Sequence, residues 1–283
     1  MKIQLFLFCF FFSCLGMAQF NPSEDWFSLD GFFESQITQN KGISSITIYK
    51  SDKKDDEVFQ EEKKYMHFTF STKGMLLESR KFIELSRRTD TSIYTFNYED
   101  SKLASRTESE GPFCFSYIYD SLNDSTIQET KLDEKTLDTN YIHHINIQEE
   151  TSWRRKYTYY NSIGRPMKNC WISKNTLGNV IAKKESYSRS LSFVVDSFNY
   201  NGNLLINRLK WNTIGVQKRT VWEFAYENGF LDFIKQTEDG TLVAKFAILY
   251  NEKELIKSIV MRNVKEKTIS IYKVEYDYFP TKN

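Results

Sequence analysis

The sequence predicts an all-β fold, a curved antiparallel β-meander of repeated hairpins with a short N-terminal helical or irregular cap. Three observations carry that expectation. Aromatic residues recur at every second position, as in Tyr94, Phe96 and Tyr98 or Trp222, Phe224 and Tyr226, and residues two apart project from one face of a strand. Tight-turn pairs punctuate the chain, among them Asn201-Gly202, Asn228-Gly229 and Asp239-Gly240; glycine enters positive φ without steric cost, so such pairs reverse a strand. Aromatics make up 16% of the 283 residues and only 4 are proline, a balance that favours strands.

Residues 1–18 have the layout of a signal peptide. Lys2 supplies the positive start, Ile3 to Phe12 is apolar but too short to span a bilayer, and Gly16-Met17-Ala18 offers small residues ahead of a cut before Gln19. A lipid anchor on Cys14 is the competing reading. Either implies export, to the periplasm, the outer cell surface or the medium. Residues 19–42 form the expected cap, with Ser23 as a helix N-cap and Trp26, Phe27, Phe32 and Phe33 covering one end of the sheet. Residues 43–283 form the repetitive sheet domain.

Ile43 to Tyr49 is its first strand. Ser51 to Lys64 is dense in charge, but Asp52, Asp55, Asp56 and Glu57 do not follow the alternate spacing of a calcium loop, so the segment reads as a solvated insertion. The hairpins begin at Tyr65, with Met66, Phe68 and Phe70 on one face and a turn at Lys73-Gly74. Asp133 to Thr151 is the least regular stretch and marks an edge or a seam. From Trp153 to Tyr278 strands and turns alternate clearly.

The unit Tyr159-Tyr160-Asn161-Ser162-Ile163-Gly164-Arg165-Pro166-Met167 resembles the YD repeat of the RHS family, and Tyr200 to Leu204 and Tyr226 to Leu231 look like degenerate copies. The resemblance implies a spiralling antiparallel sheet. It carries over no functional residue, and the chain has no self-cleaving motif or toxin-like tail and is too short for a full shell.

Composition narrows the function. The formal charge is +1, and loss of Lys2 with the leader leaves neutrality, so the chain as a whole has no electrostatic footprint for nucleic acid or anionic lipid. No nucleotide, cofactor or hydrolase signature occurs, and no second segment is apolar enough for a transmembrane helix. His143 and His144 alternate faces in a strand and His67 is distant in sequence, so no metal site is expected. Glu223 and Asp232 read as solvent-face carboxylates. Trp153, Trp171, Trp211 and Trp222 are either packing residues or a stacking platform. Cys114 and Cys170 are candidates for one disulfide in an exported protein, and Asn123-Asp124-Ser125 fits the glycosylation pattern.

The best reading is an exported, non-enzymatic binding or scaffolding protein of the cell envelope, without cofactor, meeting an unknown protein or glycan partner. A carrier holding a lipid or other apolar ligand inside a curved sheet is the first alternative. A hydrolase with unlocated carboxylates is the second.

Overall fold

The computed structural model describes residues 35–85 and 88–280. The expected leader and the cap residues Ser23, Trp26, Phe27, Phe32 and Phe33 lie outside the described residues. Helix α1 (Ser35–Asn40) precedes eighteen strands: β1 (Ile43–Lys54), β2 (Lys63–Phe70), β3 (Leu76–Leu85), β4 (Arg88–Glu99), β5 (Lys102–Glu110), β6 (Phe113–Asn123), β7 (Thr126–Asp133), β8 (Thr139–Thr151), β9 (Arg154–Tyr160), β10 (Pro166–Lys174), β11 (Val180–Tyr187), β12 (Phe193–Asn201), β13 (Leu204–Asn212), β14 (Lys218–Glu227), β15 (Phe230–Glu238), β16 (Thr241–Tyr250), β17 (Ile256–Asn263) and β18 (Thr268–Tyr278).

Each strand pairs antiparallel with the next, and β18 returns to pair with β1 from Ile43 opposite Tyr278 to Lys54 opposite Thr268. The meander therefore closes into an 18-stranded barrel. This corrects two expectations. The sheet is not open, and a closed ring is not the spiralling sheet of the YD repeat. The unit that best resembles that repeat also turns at the opposite rim from its supposed copies at Tyr200 and Tyr226. The irregular stretch around Asp133 to Thr151 is no edge either: β8 is paired on both sides, with β7 and β9.

One rim holds α1, the start of β1 and the end of β18, together with the turns after even-numbered strands; we call it the helix rim. The far rim holds the turns after odd-numbered strands. Several turns share one construction. In 71–75, 161–165, 175–179 and 251–255 the first residue donates its N–H to the carbonyl of the fifth and accepts from the N–H of the fourth. The Ser71 hydroxyl or the Asn161, Asn175 or Asn251 side-chain carbonyl also accepts from the fifth residue's N–H. This is the local reason why Ser or Asn opens these turns. The fourth position is left-handed, as at Gly164 (φ 72°) and Gly178 (φ 84°), and even Glu254 adopts it (φ 62°).

A second device recurs at the helix rim. Tyr200, Tyr226, Tyr250 and Tyr276 donate their hydroxyls to the carbonyls of Val180, Leu205, Leu231 and Ile256, each on the preceding strand. Tyr200, Tyr226 and Tyr250 also face Leu205, Leu231 and Ile256 across a register shift on the following strand. Each carbonyl acceptor except Val180 is thus also the next residue in the relay. The repeated aromatic–turn–aliphatic unit exists to build this chain of bonds.

Strand parity sorts the side chains. Trp222, Phe224 and Tyr226 share the inner face. Ile46, Ile48, Phe68, Leu231, Ile234 and Ile259 are fully buried inside. A round barrel of this strand number would leave a wide channel, so complete burial means that the wall made by β12–β18, β1 and β2 has collapsed onto its own contents. Helix α1 anchors against this core through Ile37. It sits directly over Gly74 (φ 74°), where any Cβ would run into the Ser35 carbonyl and lie 2.9 Å from the Gln39 nitrogen.

Tyr226→Phe is expected to cost about 1 kcal/mol by removing one hydroxyl bond, read as a lower urea midpoint with unchanged slope. Gly74→Ala should cost more than about 1 kcal/mol, because left-handed strain adds to the clash with α1. An Ala variant as stable as the parent would mean that α1 does not rest there.

Candidate functional site

The other half of the inner wall is chemically different. Across β4–β11 rings and charges alternate from strand to strand, because the register sets Tyr94 opposite Glu108, Arg106 opposite Tyr117, Tyr117 opposite Lys131, and Lys131 opposite Tyr141. The Tyr94 hydroxyl donates to Glu108 at 3.2 Å. The Arg106 guanidinium lies 4.2 Å from the Tyr117 ring centre, and the Lys131 ammonium 3.9 Å from that of Phe115. The Tyr141 hydroxyl donates to Glu129 at 3.3 Å. His143 stacks on Tyr141 with ring centres 4.1 Å apart, its Nδ1 3.6 Å from Glu129. Further round, Lys168 pairs with Glu185 at 3.3 Å and covers Tyr159. At the border of the two halves, buried Arg208 pairs with Asp196 at 3.0 Å and lies between Phe198 and Trp222.

Charge inside a protein is tolerated when it is paired and hydrogen-bonded; Lys168 and Arg208 meet that condition through Glu185 and Asp196, whereas the Lys131 ammonium lies over the Phe115, Tyr117 and Tyr141 rings. Arg106 Nε is buried and has no hydrogen-bond partner. Arg106 lies opposite Phe96 in the register, with Leu103 as the next inward residue toward the helix rim.

Phe96 and Leu103 also line the largest cavity described, about 770 Å³, at the helix rim. Phe70, Met75, Leu76 and Tyr98 complete its apolar wall, and Ser35 and Gln39 of α1 form its edge. A smaller cavity of about 360 Å³ opens at the far rim between Tyr141, His143, Met167 and Tyr187.

The outer wall is mixed at mid-strand, with ion pairs beside an apolar row of Phe233, Ala247, Val260 and Ile271. Glu78 and Arg80 form an ion pair on β3, Glu223 and Lys235 pair across β14 and β15, and Lys273 and Glu275 pair on β18. On β4 and β5, Thr95 faces Thr107 and Asn97 bonds Ser105.

The residues singled out by sequence are dispersed. His143 points in, whereas His144 points out and contacts Gln128; His67 contacts Thr47. Among the described residues no group of three or more His, Cys, Asp or Glu is placed to hold a metal ion. Glu223 is on the outer wall with Lys235, and Asp232 is exposed beside it, so the two do not form a facing pair. Asp52 is not in a solvated insertion: it lies on β1, bonded to Lys50 and Ser270, while Asp55 pairs with Arg262. Trp153 stands at a helix-rim turn, Trp171 and Trp211 face outward and Trp222 faces inward, so no platform forms. Cys114 and Cys170 are both free. They lie on opposite faces, on β6 and β10 with three strands between them, which is far beyond disulfide reach. Asn123 caps its own turn, accepting from Ser125.

The charged inner wall went unnoticed in the sequence, although a signal was present. Arg106, Glu108 and Glu110, and Glu129, Lys131 and Asp133, occur at every second position and so share a face with Tyr94, Tyr117 and Tyr141.

No family model and no curated protein matches this sequence. Among solved structures, the chain is similar to a porin-like protein from Bacteroides uniformis (9% identity, TM-score 0.40, covering 83% of this chain and 98% of that one). It is also similar to a porin-like protein from Bacteroides vulgatus (11% identity, TM-score 0.27, 83% and 98%). A LolA-superfamily protein from Nitrosomonas europaea aligns at 7% identity and TM-score 0.17, covering 88% and 94%. Scores this low carry no argument about function, and the barrel described above rests on its own strand pairing.

Burial pushes the hydroxyls of Tyr119, Tyr159, Tyr250 and Tyr272 up to about 12. Burial followed by the Glu129 charge raises Tyr141, and burial raises Tyr226. A group whose folded value is raised lends stability below its unfolded value of 10.0, and that stability is lost as pH rises through the folded value. Stability should therefore fall between pH 10 and about 12, with tyrosinate absorbance and loss of strand dichroism appearing together. Gradual ionisation centred at the unfolded value, in a protein that keeps its dichroism, would contradict this burial.

Proposed function

We propose that the chain is an exported, water-soluble barrel that binds an apolar or amphipathic small molecule at the helix rim and does no chemistry on it. The observation that carries this reading is the cavity of about 770 Å³ walled by Phe70, Leu76, Phe96 and Leu103, a size and lining typical of small-molecule sites. Lys73 on the cavity's edge is the cation placed to meet an acidic group on the ligand, and Arg106, with its unmet donor one step below Leu103, lies beneath the cavity wall. The carrier alternative is thereby favoured over a scaffold for a protein or glycan, since a closed barrel offers no broad concave face.

Two further features support the reading. A barrel crossing a membrane on its strands needs an outward apolar band about 25 Å tall, whereas this outer wall carries ion pairs at mid-strand. Four carboxylates of inward parity are engaged as well: Glu108 with Tyr94, Glu129 with Tyr141, Glu149 with Arg155 and Glu185 with Lys168. That pairing favours a binding wall over a hydrolytic one. Export remains the sequence-based part of the proposal.

The test is titration with anilinonaphthalene sulfonate, an aromatic body with one acidic group. The probe should brighten on binding, and Leu103→Trp, which fills the cavity, should weaken binding by about tenfold or more while strand dichroism is kept. Equal binding by parent and filled variant would remove the cavity from consideration.

A further inference from the structure

We propose that one quadrant of the far rim docks onto an anionic lipid surface. The most exposed large apolar side chains, Leu191 at 100%, Val58 and Val216 at 88%, Leu137 at 74% and Ile163 at 69%, all lie on far-rim turns. The turns 161–165, 188–192 and 213–217 are neighbours, two strands and so about 10 Å apart. Together they present Ile163, Leu191, Ile214 and Val216.

Charge sets this quadrant apart from most of the rim. Arg165 and Arg189 lie on its turns and Arg219 just beyond the third, and none of the three turns contains Asp or Glu. None of these arginines is ion-paired among the described residues, and all three are exposed. Lys218 is tied to Glu238 at 2.7 Å and does not count. Of the other far-rim turns, 134–138 mixes Glu134, Lys135 and Asp138, and 238–241 is acidic, with Asp239 accepting from the Arg219 backbone N–H at 3.0 Å. Trp211 faces outward on the collar of the quadrant, edge-on to Phe193.

Aliphatic tips flanked by unpaired arginines match the two components of interfacial binding: apolar burial at the headgroup boundary, and attraction of cations to lipid phosphates. A guanidinium also grips phosphate with two parallel bonds. An indole at the collar fits the headgroup level. The formal neutrality of the whole chain does not oppose this, because attraction at the surface is local within a Debye length. Docking would set the smaller cavity, reached past Met167, Tyr187 and Arg189, over the bilayer. The inference does not depend on a ligand at the helix rim.

Flotation tests it, with vesicles of equal parts phosphatidylcholine and phosphatidylglycerol against phosphatidylcholine alone. The parent should float with the anionic vesicles only and be released by high salt. The variants I163S/L191S/V216S and R165Q/R189Q/R219Q should each bind at least about tenfold more weakly, while L122S/L177S at the helix rim binds like the parent. Dichroism of each variant checks the fold, and the salt response of the parent needs no variant. No flotation of the parent, equal binding to both vesicle types, or equal loss in the helix-rim variant would overturn the proposal. So would a concentration-dependent dimer that the tip substitutions dissolve, which would make the quadrant a protein interface.

Discussion

The pairing of β1 with β18 is the constraint on which the rest of the molecule depends. A meander can close by antiparallel pairing only with an even number of strands, because otherwise its first and last strands run the same way. With eighteen, the start of β1 and the end of β18 arrive at one rim and the last free edges disappear. Closure also gives parity a meaning. In an open ribbon the two faces are merely different; in a ring one is inside for every strand, and a one-residue slip anywhere would turn a strand's core residues outward.

What the inside contains then decides the shape. The wall from β12 through β18 to β2 offers mostly aliphatic and aromatic side chains, which gain by meeting one another, so this half collapses. The wall from β4 to β11 offers Arg106, Glu108, Glu129, Lys131, Lys168 and Glu185. Burying those against hydrocarbon would strip their hydration, so they pair with one another or lie over aromatic rings along the wall. Two such halves cannot meet without a gap. The helix-rim cavity lies at that junction, bounded by β2 on the packed side and β4 and β5 on the charged side.

Local features were legible in the sequence for a physical reason: they depend on residues close together. Alternate rings placed the strands, and the Asn- and Gly-bearing turns reversed them where expected. Closure was not legible, because Ile46 and Tyr276 meet across the whole length of the chain and nothing in either stretch announces the other. Composition alone does not say whether a charged strand residue faces in or out. Glu223 reads as a solvent-face carboxylate and stands on the outer wall, whereas Glu129 and Lys131 share the parity of the aromatic row and face inward. The cysteines failed for the same reason, since a spacing in sequence does not say which face a thiol occupies.

The tyrosine relay explains why a repeat was visible at all when no repeat family is present. Each link needs a ring long enough to reach the neighbouring strand, a register shift that leaves a carbonyl available, and an aliphatic residue to occupy the space inside the shift. Those three needs impose an aromatic, a short turn and an aliphatic at fixed distances. Such spacing recurs wherever the helix rim must be drawn tight, from Tyr200 to Tyr276. At the corresponding place on β2 the residue is Phe70, facing Leu76 across a shift with no hydroxyl to give. There the rim is closed instead by α1 resting on Gly74, and there the cavity begins. Periodicity in this chain is therefore the imprint of a closure problem solved several times along one rim, and the place where the solution changes is the place where the cavity opens.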